Sequence, residues 1–158
     1  MLFSSMIFLW WFLPTVLVLY FFLDRKYCNL LLLLASLIFY AWGEPQYIWL
    51  ILISIALNYV LGILADRYRE KCGKTVIFLT VALNIGLLAY FKYTNFFVGT
   101  VQSVCPDAFS DFKQIALPIG ISFYTFQAMS YVIDVYKKVC TVQKNPLRLG
   151  LFITFFPQ

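Results

Sequence analysis

The chain is built of long apolar runs separated by short polar interruptions. A helix needs about 20 residues to cross a hydrocarbon layer of roughly 30 Å. Five runs reach or approach that length, over residues 3–23, 27–42, 47–64, 75–91 and 115–136, and a sixth starts at 149. The second and fourth are short, so tilt, local thinning or snorkelling would have to make up the difference. The clearest interruption is Gly43-Glu44-Pro45-Gln46, because Pro45 disfavours helix at Glu44 and glycine supplies the turn. Pro106 with residues 107–113 forms the next. Residues 90–104 mix aromatic, basic and small polar side chains, a pattern suited to an interfacial or re-entrant segment. The pattern predicts an all-α, polytopic transmembrane helical bundle.

One run carries unexpected polarity. At helical spacing Gly120, Tyr124, Gln127, Tyr131 and Asp134 fall on one face, separated by steps of four and three. Such a stripe faces protein or a water-filled passage rather than lipid, since an ionised Asp costs about 2.5–3.5 kcal/mol at the centre of a membrane helix and less near its edge. Tyr124, Gln127, Tyr131 and Asp134 are therefore the candidate lining residues. Plainer roles exist for each. Asp134 can pair with Lys137 or Lys138 one turn on, and Gln127 and Tyr131 can simply join helices by hydrogen bonds. Thr125 and Ser130 can bond to their own backbone. In the third run Ser54, Asn58 and Gly62 recur every four residues as a narrow packing face, and Asn84 and Gly86 in the fourth read the same way.

Composition and charge sharpen the picture. Of 158 residues, 63% are hydrophobic, and the mean hydropathy of +0.84 lies outside the soluble range. The net charge of +5 tracks topology rather than nucleic acid: with five crossings and an outside amino terminus, ten Lys and Arg lie inside, and only Lys92 and Lys113 lie outside. Aromatic residues make up 20% of the chain and cluster at run ends as an interfacial belt. The amino end has no basic residue before its apolar run and no small-residue cleavage site after it, so it reads as a retained span. Cys28, Cys72, Cys105 and Cys140 form no C-x-x-C pair, and the chain has no histidine. No metal-ligand cluster, Ser/His/Asp set or phosphate-binding loop is present in the sequence.

Residues 29–62, AYFKYTNFF at 89–97, LPIGISFYTFQAMSYVIDVYKK at 117–138 and FFPQ at 155–158 together resemble the amino-terminal part of the membrane-bound O-acyltransferases. Within that superfamily they resemble the bacterial branch that acetylates alginate and related exopolysaccharides, with the D-alanyl transfer protein of teichoic acid as a cousin. The resemblance implies that the chain is roughly the first third of a multi-pass enzyme of the bacterial plasma membrane. It further implies an acyl donor, acetyl-CoA or another acyl thioester, reaching a buried histidine from the cytoplasm. The acceptor is a polysaccharide hydroxyl outside, reached directly or through an exported acyltransferase partner protein. No resident cofactor or nucleic-acid partner is implied, and without its histidine this segment would be inactive alone. A transporter or channel subunit is the alternative, since polar intramembrane residues also mark transport paths. A small structural subunit is a third reading.

Overall fold

The computed structural model describes residues 6–104, 116–118 and 120–155. A π-helical turn, Phe8–Phe12, runs without a break into α1 (Leu13–Phe22), so Pro14, which has no N–H to give, stands inside a continuous helix just after the widened turn. α2 (Arg25–Gly43) ends as the sequence requires: Glu44, ahead of proline, is extended at φ −146°, and a single 3₁₀ turn, Pro45–Tyr47, leads into α3 (Ile48–Arg67). α4 (Arg69–Val104), α5 (Ile121–Tyr136) and α6 (Pro146–Thr154) complete the described bundle. Among the described residues there is no strand.

Among the described residues three stretches, Arg25–Gly43, Pro45–Arg67 and Arg69–Ser103, are helices long and apolar enough to cross a membrane. The apolar helix Phe8–Phe22 is shorter. Two sequence readings change here. Residues 90–104, read as an interfacial or re-entrant segment, form no re-entrant loop but continue α4 as helix beyond its kink at Cys72. Nothing in that stretch is proline, and its threonines fold back on the helix, Thr94 Oγ1 to the Tyr90 carbonyl and Thr100 Oγ1 to that of Phe96. In addition, the run at 115–136 is helical only from Ile121, giving 16 residues. Gly120 stands before the helix rather than on its polar face, at φ +77°, a left-handed conformation that glycine adopts without penalty.

α3 and α5 lie parallel in direct contact, and α4 runs back against both of them. At one end the Tyr47 hydroxyl donates to the Ala116 carbonyl (2.7 Å), and at the other the Arg69 guanidinium donates to the Val135 carbonyl. Helices in lipid gain little from apolar burial against each other, so close packing relies on small residues. Ala65 and Ala128 have no exposure, Gly62 lies under the Tyr131 ring, Gly73 under Tyr136, and Gly150 between Leu33 and Ile55. The core thus sits where α3, α4, α5 and α6 meet. Outward positions such as Phe21, Phe22, Phe78 and Phe123 are bare, as lipid-facing side chains are.

This packing gathers the basic residues. Arg25 and Lys26 open α2 at the end away from its junction with α3, Arg67, Arg69, Lys71 and Lys74 flank the α3–α4 corner, and Lys137, Lys138, Lys144 and Arg148 follow α5. No long loop separates α3 from α4: the chain leaves helical geometry at Tyr68 and again at the Cys72 kink, with one helical turn between them.

Candidate functional site

α5 turns its polar stripe inward, but its members meet different neighbours. Tyr124 is 4% exposed and meets Tyr40 of α2 edge to face at 6.5 Å; neither hydroxyl has a hydrogen-bond partner within 3.5 Å among the described residues. Gln127 is half-buried and donates through Nε2 to the Phe152 carbonyl (2.6 Å), joining α5 to α6. Tyr131 is 8% exposed, and its hydroxyl accepts from the Gln143 backbone N–H (2.9 Å). Asp134 is half-buried at the last turn. Ser130 bonds to the Gln127 carbonyl (2.9 Å), whereas Thr125, expected to do the same on its own helix, is 1% exposed and its hydroxyl has no partner among the described residues.

The ion pair expected for Asp134 does not form; among the described residues the one ion pair is Arg69–Asp66 at 3.4 Å. The reason is local. The helix stops at Tyr136: Lys137 keeps its helical bond to the Ile133 carbonyl (2.9 Å) without reaching the carboxylate, and Lys138 takes a left-handed φ of +63° that carries it off helical spacing from Asp134. The Asp134 carbonyl instead closes the helix end, accepting from Val139 N–H (3.0 Å).

Tyr131 and Asp134 share a cavity of about 350 Å³ with Cys140, Gln143, Arg148 and Phe152. Its rim is fixed from several sides. The Tyr59 hydroxyl of α3 holds the Lys144 carbonyl (2.8 Å), and Asn145 caps α6 through Leu147 N–H (3.0 Å). The Cys140 thiol is pushed above the usual range by lost hydration and then by the nearby Asp134 carboxylate. Tyr124 and Gln127 do not line this cavity.

Sequence reasoning missed a reciprocal polar contact between α3 and α4. Asn58 and Asn84 exchange amide hydrogen bonds of 3.1 and 2.9 Å between α3 and α4, and each also donates to a carbonyl one turn back, Ser54 and Thr80 respectively, at 2.9 Å. Both are buried. The spacing of Asn84 from Thr80, matching that of Asn58 from Ser54, was the available signal. Gly86, grouped with Asn84 as a packing residue, faces open space instead.

No family model and no solved structure matches the chain. Curated relatives do match along its whole length. The "Probable alginate O-acetylase AlgI" of Pseudomonas aeruginosa is 38% identical over 162 residues, covering 99% of this chain and 31% of the relative. The same-named protein of Pseudomonas syringae pv. tomato gives the same figures. The "Peptidoglycan O-acetyltransferase" of Helicobacter pylori is 31% identical over 188 residues, covering 100% of this chain and 36% of that protein. This chain is a homologue of proteins named as O-acetyltransferases. It spans about a third of the length of these relatives.

Proposed function

We propose that this chain is the amino-terminal portion of a membrane-bound O-acyltransferase, in the alginate and exopolysaccharide branch. It would act in a bacterial plasma membrane with its amino terminus outside. The observation that carries this reading is similarity over 99% of the chain to proteins named as alginate O-acetylases. The physical task is to move an acetyl group from a thioester made on one side to a sugar hydroxyl on the other. The thioester C–S bond breaks, an ester C–O bond forms, and the hydroxyl proton passes through a base to the departing thiol. The histidine that the resemblance implies as that base is absent from these 158 residues. What the chain supplies is a scaffold: α5 with its polar side chains turned inward, Gln127 tying it to α6, and Tyr124, Tyr131 and Asp134 spaced along the same side. Ten cations gathered at one end suit a cytoplasmic face, which is where acetyl-CoA or another acyl thioester would arrive.

The test is Gln127→Leu in the whole enzyme. Acetyl content of the secreted polysaccharide should drop about tenfold or more while the protein's level in the membrane holds, because loss of one bracing hydrogen bond displaces α5 by enough to disturb positioning. Unchanged acetylation at unchanged protein level removes α5 from the mechanism. Unchanged acetylation on deletion of the gene removes the function altogether.

A further inference from the structure

Arg148 is shared by two adjoining cavities of different character. One is the 350 Å³ cavity described above, into which Asp134 also faces. The other, of about 290 Å³, lies between α2 and α6 and is apolar apart from Arg148, with Leu32, Leu151 and Phe155 along it and Phe152 common to both. Neither Asp134 nor Arg148 has an ion-pair partner among the described residues. The site therefore offers a free carboxylate and a free guanidinium in one cavity, at the basic end of the bundle, with an apolar groove leaving from the guanidinium. Asp134 is half-buried and Arg148 exposed, so a ligand of opposite charges can reach both without displacing an existing ion pair.

We infer that this pair of cavities binds an aminophospholipid, its phosphate on Arg148, its ammonium on Asp134 and an acyl chain along Leu32, Leu151 and Phe155. Arginine presents a planar fork of donors that matches a phosphate, and a carboxylate accepts an N–H bond of a primary ammonium. Phospholipid is also the medium in which the bundle sits, so the occupant is present at every position around it. A lipid with a quaternary ammonium lacks the N–H donors, and one with a glycerol headgroup lacks the cation. The combined volume lies within the range of small-molecule sites. This inference does not depend on acyl transfer.

Cys140 lines the headgroup cavity and gives a local readout, whereas Cys72 at the α4 kink lies outside both cavities and serves as internal reference. The protein is reconstituted in vesicles of phosphatidylcholine alone, or with phosphatidylethanolamine or phosphatidylglycerol added, and N-ethylmaleimide labelling is followed by peptide mapping. Phosphatidylethanolamine should slow Cys140 relative to Cys72 by about threefold or more, with phosphatidylglycerol having a smaller effect. Asp134→Asn should erase the advantage of phosphatidylethanolamine over phosphatidylglycerol. Arg148→Gln should erase protection by both, as should Leu151→Trp, which fills the groove and leaves both charges. Buried Cys28 staying unlabelled marks each variant as folded. The inference is overturned if the Cys140 to Cys72 ratio is equal in the three vesicle types, or if Asp134→Asn keeps the preference. Protection by inorganic phosphate in phosphatidylcholine vesicles would equally overturn it, as a headgroup site without a lipid.

Discussion

Asn58 and Asn84 show how much a single polar side chain can decide in a bundle with little hydrophobic driving force. Each amide makes three bonds, one donated and one accepted across the interface and one donated to its own helix. Replacing Asn58 by Leu strands the Asn84 amide, and the cost should be about 1–3 kcal/mol in a mixed-micelle unfolding titration. The double change to Leu at both positions should recover part of that loss, because no group is then left unpaired. A double variant as unstable as the sum of the singles would show that shape, rather than hydrogen bonding, fixes the interface. Cys140 allows a test by pH. Its thiol is raised by lost hydration and by Asp134, so removing the carboxylate charge lowers the thiol toward its ordinary value and increases the thiolate fraction near pH 8. Asp134→Asn should accordingly speed Cys140 alkylation several-fold at pH 8 and shift the midpoint of its pH–rate curve downward. Equal curves would mean that the carboxylate does not reach the thiol.

Among the helices, three glycines separate close packing from mere sequence spacing. A Cβ at Gly62 would sit 2.9 Å from a Tyr131 ring carbon, and at Gly73 2.4 Å from one of Tyr136. Tyr131 cannot swing freely, since its hydroxyl is held by Gln143, so Gly62→Ala should destabilise by about 1–3 kcal/mol. Gly86, with nothing within 4 Å of the added carbon, should instead gain up to about 1 kcal/mol on substitution by Ala. Thermal unfolding of the three variants in detergent checks the order. The sequence told these apart only in part. Gly62 was legible because Ser54, Asn58 and Gly62 share a face, but Gly86 follows the same local logic and packs on nothing, since which face of α4 meets α3 is settled by Asn84 and Thr80. Helix ends behaved likewise. The stop at Glu44 followed from local proline chemistry. The left-handed Lys138 and the late start of α5 at Ile121 depend on how the chain leaves and enters the bundle, which no window of residues reveals.

For the molecule as a whole, the count of basic residues along the sequence became a real end of the bundle. That feature was legible because charge asymmetry is a property of segments and survives errors in their boundaries. The cavity at Arg148 was not, because it joins α5, the connection after it and α6, whose mutual placement is tertiary. The arrangement makes a prediction about sidedness: a membrane-impermeant maleimide should label Cys72 and Cys140 from the same side of a sealed vesicle. Labelling of the two from opposite sides would refute the packing of α4 against α5.

The length of α4 carries one more consequence. Lys74 and Lys92 stand eighteen residues apart on it, about 27 Å along the axis, close to the thickness of a hydrocarbon layer. Two ammonium groups at that separation act as stops, one at each headgroup plane, so the helix is gauged against the bilayer and cannot slide far without dragging a charge into oil. Everything beyond Lys92, including Phe96 and Phe97, is then carried clear of the acyl chains as a rigid extension whose height follows the thickness of the membrane.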